Sequence, residues 1–171
     1  MMKKFLAVLI ICFIGAGVTY MVVHIVKAKR QAAIDDVNKQ QLPSFTFFDL
    51  DGKKKGSEIV DDGKPVIVIY FNNDCEHCQN EAQQLNKAMQ LFEGTQIIMV
   101  SFNNAADIRK YAAAYGLNKH PEVTFLMDKD YKFTHWFGSC SIPSVFVYNS
   151  RHSLVKEFYG EVKPEAIKKL I

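Results

Sequence analysis

The sequence predicts an α/β domain, a central mixed sheet flanked by helices, with an N-terminal β-hairpin extension and one N-terminal transmembrane helix. Three observations predict it. Val66-Ile67-Val68-Ile69-Tyr70-Phe71 is apolar without alternation, the pattern of a strand covered on both faces. Ile97-Ile98-Met99-Val100 repeats that pattern after a helical stripe, so strand, helix and strand follow within about 37 residues as a right-handed βαβ unit. Phe5 to Val26 is a run of 22 residues without a formal charge.

Taken in order, the apolar run comes first. A helix of that length rises roughly 33 Å, enough for a bilayer core of about 30 Å. Lys3 and Lys4 precede it and Lys27, Lys29 and Arg30 follow, so the basic flanks barely choose an orientation. A cleaved leader would have to cut near Gly15-Ala16-Gly17, with apolar sequence continuing beyond; a lipid-modified Cys12 would want a small residue where Ile11 stands. Residues 1–30 therefore read as an uncleaved anchor, 31–42 as a polar stalk and 43–171 as the folded domain.

Phe45-Thr46-Phe47-Phe48 enters a turn at Asp49-Leu50-Asp51-Gly52 and returns through Lys53–Ser57, a hairpin. Val66–Phe71 follows the break at Asp61-Asp62-Gly63-Lys64-Pro65. The next helix carries Cys78, Ala82, Leu85, Met89 and Phe92 at spacings of three and four, a core stripe, and stops at Gly94. Gln96–Phe102 is the second buried strand. Ala105–Tyr115 reads as a helix ended by Gly116, Val123–Met127 as a short strand, and Asp128–Gly138 as a turn with a short helix. Ser144–Tyr148 and Leu154–Tyr159 form a hairpin, and Pro164–Ile171 a closing helix with proline in its first turn.

Outside the anchor flanks, 16 Lys+Arg face 18 Asp+Glu over residues 31–171. Such a balance offers no basic field for nucleic acid. The same stretch holds three cysteines, Cys75, Cys78 and Cys140, an odd number that argues for one active pair and a leftover thiol rather than a disulfide framework.

The chemistry-bearing motif is Cys75-Glu76-His77-Cys78, where the first buried strand hands over to its helix. Asn72, Asn73 and Asp74 form the polar break, and Asp74 is the expected N-cap. Cys75 then falls at the first helical position and Cys78 one turn on, on the same face. Unpaired N–H groups and the positive end of the helix dipole favour a thiolate there, most of all at Cys75. The arrangement suits dithiol–disulfide exchange: Cys75 attacks as nucleophile and Cys78 resolves the mixed disulfide. His77, if cationic, supports the thiolate, and Glu76 opposes it, so the two tune the couple in opposite directions. A structural zinc site would need two further ligands at suitable spacing, which the sequence does not place.

This order of elements resembles the thioredoxin fold, and more closely the membrane-anchored TlpA/ResA-type thiol–disulfide oxidoreductases. The likeness spans roughly residues 42–171. It rests on the anchor, Leu42-Pro43-Ser44-Phe45, the Asp49–Lys53 turn, Gly63-Lys64-Pro65 and Cys78-Gln79-Asn80-Glu81. The resemblance implies that the Ile142–Pro143 bond is cis and faces the motif, leaving a backbone edge on which a substrate strand can pair. Glu81 matches the family's glutamate after the second cysteine.

The resemblance further implies a reductase of protein disulfides in the bacterial cytoplasmic membrane. Its domain would face the extracytoplasmic side, supplied by a membrane thiol donor and using no cofactor beyond the Cys75–Cys78 disulfide. Three departures stand out: Asp74 replaces the usual tryptophan, no carboxylate lies within Val66–Phe71, and Cys140 is extra, read first as a small buried hydrophobe and otherwise as a third thiol near the pair. Two other readings compete. A thiol peroxidase would want Thr or Ser with Pro upstream of the attacking cysteine, where Asn72-Asn73-Asp74 stands. A copper-binding module would draw on the soft thiolates of Cys75 and Cys78 with a distant histidine.

Overall fold

The computed structural model describes residues 13–30 and 39–171. Residues 13–30 are helical (α1) and exposed along their length. Among the described residues no helix is long and apolar enough to cross a membrane. The start of the predicted span, residues 5–12, and most of the predicted stalk, 31–38, lie outside the described residues.

The domain is built on one seven-stranded sheet. Its strands are β1 (Thr46–Phe48), β2 (Lys54–Gly56), β3 (Val66–Phe71), β4 (Gln96–Ser101), β5 (Val123–Met127), β6 (Ser144–Tyr148) and β7 (Leu154–Tyr159), in the order β2-β1-β5-β4-β3-β6-β7. β3, β4 and β5 run parallel, with Ile67 opposite Ile97 and Ile98 opposite Thr124; β6 and β7 add antiparallel on one side, and β1 and β2 on the other. The unalternating strands sit in the middle, as their composition requires: every residue of β3 is buried.

Period-two alternation then divides β3 between two cores. Ile67, Ile69 and Phe71 pack with α2 (Glu76–Lys87), α3 (Ala105–Ala114) and α5 (Pro164–Lys168), through Leu85, Ile108, Tyr111 and Ile167. Val66, Val68 and Tyr70 face the other way, toward Phe45, Phe47 and the short α4 (Phe133–Phe137). The core stripe read along α2 is realised with a break: the α-helix ends at Lys87 and a 3-10 turn over Met89–Phe92 carries Met89 and Phe92 into the same core.

Residues 39–42, placed in the stalk by the sequence, lie along the start of β7. Gln41 pairs with Ser153, the Leu42 N–H donates to the His152 carbonyl at 2.8 Å, and buried Lys39 meets Glu157 at 2.8 Å. The Leu154 N–H in turn donates to the Gln40 carbonyl at 2.8 Å, so this segment is tied to the domain.

Candidate active site

The carboxyl end of β3 opens the site. Asn72 shapes the turn that follows: its Oδ1 accepts the Asp74 N–H at 3.0 Å and its carbonyl accepts the Cys75 N–H at 3.2 Å. The Asn73 N–H donates to Asn103 Oδ1 at 3.1 Å, and Gln79 Nε2 donates to the Asn73 carbonyl at 2.8 Å. The turn therefore closes one residue later than the sequence predicts. Cys75, not Asp74, is the N-cap of α2, and its sulfur accepts the Cys78 N–H at 3.4 Å. That sulfur stands where a helix start offers unpaired N–H groups to an anion. Asp74 is exposed.

The two thiols are unequal. Cys75 is half-buried, whereas Cys78 is 1% exposed, and burial together with the neighbouring Cys75 sulfur pushes the Cys78 thiol up. The Tyr111 hydroxyl, itself buried, donates to the Cys78 carbonyl at 2.6 Å and ties α3 to the motif. Glu76 and His77 are exposed in the first turn. His77 Nδ1 lies 3.2 Å from Glu161, whose other oxygen accepts from Gln84 at 2.7 Å.

Across from Cys75, the Ile142–Pro143 peptide is cis, and the Ile142 carbonyl oxygen is 4.0 Å from the Cys75 sulfur. Pro143 is buried, and its carbonyl accepts the Gly160 N–H at 2.8 Å. The loop carrying the proline is thereby fixed to the end of β7.

Glu81 is the carboxylate that β3 lacks. It sits three residues beyond Cys78 on the same buried face of α2 and is only 4% exposed, with one oxygen accepting the Val162 N–H at 3.1 Å. Burial, reinforced by the charge of Glu161, pushes its carboxyl up to about 8. At neutral pH it is a protonated acid that can exchange a proton with a thiol. Helical spacing places Glu81 near the pair, but a surface position fits that spacing as well. Only the docking of residues 160–163 over it decides.

Cys140 is not brought to the pair. It packs against the core on the opposite face of the sheet, and burial pushes its thiol up. Its position follows from the loop: only Ile142, two residues on, reaches both cores. Among the described residues no group of three or more His, Cys, Asp or Glu side chains is placed to hold a metal ion. Glu161, Val162, Tyr111 and Asn103 also contribute and were not singled out by the sequence, because they come from elements remote in the chain and form no motif.

The site thus sets a buried thiol one turn behind a helix-capping thiol, a close pair that fits a CxxC motif, with a cis-proline loop facing it. The chain belongs to the AhpC/TSA family, whose model matches residues 39–157. By family and fold it is a thioredoxin-like oxidoreductase. A comparison with curated protein sequences found no match.

Solved structures share the fold at low identity. A secreted Mycobacterium tuberculosis disulfide oxidoreductase homologous to E. coli DsbE is 17% identical with a TM-score of 0.63, covering 78% of this chain and 96% of that one. StoA from Bacillus subtilis is 17% identical with a TM-score of 0.58, over 77% and 98%. A peroxiredoxin-like protein from Aquifex aeolicus is 16% identical with a TM-score of 0.61, over 78% and 86%.

Proposed function

We propose that the protein is a thiol–disulfide oxidoreductase that reduces protein disulfides outside the cytoplasm. The observation that carries this is the asymmetry of the pair: an accessible Cys75 at the helix cap and a buried Cys78 one turn on. The Cys75 thiolate attacks one sulfur of a substrate disulfide, and the other sulfur leaves as a thiolate that takes up a proton. The carboxylate form of Glu81, populated as pH rises toward about 8, takes the Cys78 proton, and Cys78 attacks Cys75, releasing the second substrate sulfur as a thiolate that takes up a proton and leaving a Cys75–Cys78 disulfide. Two electrons pass to the substrate, and a membrane thiol donor restores the dithiol.

Burial keeps Cys78 a thiol, so it waits as the resolving group until its proton is taken. The Ile142–Pro143 edge offers an extended substrate segment a place to pair beside Cys75. Residues 5–26 anchor the chain in the bacterial cytoplasmic membrane in this reading, with Val18, Val22, Ile25 and Val26 among the apolar side chains exposed along α1.

The deciding experiment equilibrates the full-length chain in dithiothreitol and glutathione buffers. A single two-electron couple near or below about −250 mV, lost in Cys75→Ser, is expected; a value near −120 mV would make the protein a disulfide donor instead. The match to the AhpC/TSA family and the peroxiredoxin-like neighbour favour a thiol peroxidase as the second reading. Peroxide consumption by the reduced chain separates the two.

A further inference from the structure

Residues 160–162 contact the cis-proline loop at Pro143 and the motif helix at His77, Glu81 and Gln84. The Gly160 N–H donates to the carbonyl of Pro143, holding the cis-proline loop. Glu161 reaches α2 with both oxygens, one to His77 Nδ1 at 3.2 Å and one from Gln84 Nε2 at 2.7 Å. The Val162 N–H donates to buried Glu81. Val162 is itself 8% exposed and packs into the core that contains Cys78. Gly160 turns the chain with φ +98, a left-handed conformation that brings the next two residues back over α2.

From this geometry we infer that Glu161 is a positioning residue for the dithiol reaction: its clasp on His77 and Gln84 seats Val162 over Glu81 and so sets the proton affinity of that carboxyl. The inference rests on the oxidoreductase reading and adds to it the group that controls its proton acceptor. Two contributions run in the same direction. The clasp closes water away from Glu81, and the Glu161 charge repels a second charge on it; both favour the protonated acid. The Val162 N–H works the other way and limits the rise.

The charged or titratable groups around Glu81 are few. Cys78 lies on its own helix, Tyr111 comes from α3, and Glu161 comes from the segment before α5, with His77 beyond Glu161. Tyr111 is held neutral by burial, and so is Cys78. Glu161 is the one group among them whose charge raises the Glu81 carboxyl and that also holds the covering segment in place. Nothing in the motif itself does either.

The test is a titration of the Glu81 carboxyl in the full-length reduced chain by carbon-detected NMR, with the Cys75–Cys78 couple measured on the same samples. Glu161→Gln keeps a side chain able to bond Gln84 and removes only the charge; Glu161→Ala opens the clasp as well. In the wild type the Glu81 inflection is expected near 8. In Glu161→Gln it should move to lower pH by roughly half a unit or more, and in Glu161→Ala further still. The pH profile of disulfide exchange should move with it. An intact couple with Glu81 titrating alike in all three chains overturns the role of Glu161 alone. A wild-type chain with no couple between Cys75 and Cys78 overturns the reading beneath it.

Discussion

Cys75 and Cys78 share a helix turn yet meet different surroundings, and their substitutions separate accordingly. Cys75→Ser should abolish exchange with a model disulfide peptide. Cys78→Ser should instead accumulate the mixed disulfide at Cys75, visible as a mass increase equal to the peptide thiol, because the resolving sulfur is gone. In the proposed mechanism Glu81 acts on the second step. Its carboxylate form takes the Cys78 proton, so resolution should accelerate as pH rises through about 8, where the group ionises. Glu81→Gln should slow resolution by roughly a hundredfold and remove that inflection, with the first attack little changed. Rapid-mixing measurement of the two phases would separate these effects; a variant slowed equally in both would contradict the assignment. None of this was legible at Glu81 from spacing alone, since exposure and burial differ there only through a segment 80 residues further on.

At the scale of the elements, the site depends on how β3 and α2 are held. One side is the aliphatic core under α2. The other is an aromatic core in which Phe133 of α4 stacks on Tyr70 at 4.0 Å and on Phe137 at 4.5 Å, with Phe47 of the N-terminal hairpin 6.0 Å away. Beside them Asp128, 2% exposed, accepts the Tyr70 hydroxyl at 3.2 Å and the N–H groups of Lys132 and Phe133, a buried carboxylate satisfied on each side. Phe133→Ala should cost about 3–5 kcal/mol, seen as a lower denaturant midpoint with unchanged slope. The dithiol couple should persist while the chain is folded, because the pair sits on the opposite face. The order of these elements was plain in the sequence, because buried strands and helical stripes leave periodic signals. The one-residue shift of the α2 cap was not. It depends on Asn72 bonding forward to Asp74 and Cys75, a choice between two turn geometries that composition leaves equal.

For the molecule as a whole, Glu81 couples stability to pH. Its carboxyl rises from the ordinary 4.5 to about 8 on folding. Between those values the native state keeps a proton the unfolded chain has lost, so stability falls as pH rises, by on the order of a few kcal/mol across the window. Below about pH 4.5 both states are protonated and the effect vanishes. Glu81→Gln should flatten this slope in urea titrations at a series of pH values; an unchanged slope would place its origin elsewhere. The sequence by itself determined the class of fold, the strand–helix junction that holds the pair and the element order up to the final helix, because each is written in local periodicity and turn chemistry. The core stripe of α2 already marked Cys78 as the buried thiol; the tertiary structure decided that Cys140 belongs to the other core and that Glu161 and Val162 close over Glu81. Those outcomes depend on desolvation and on contacts between segments far apart in the chain, and no local pattern of residues encodes either.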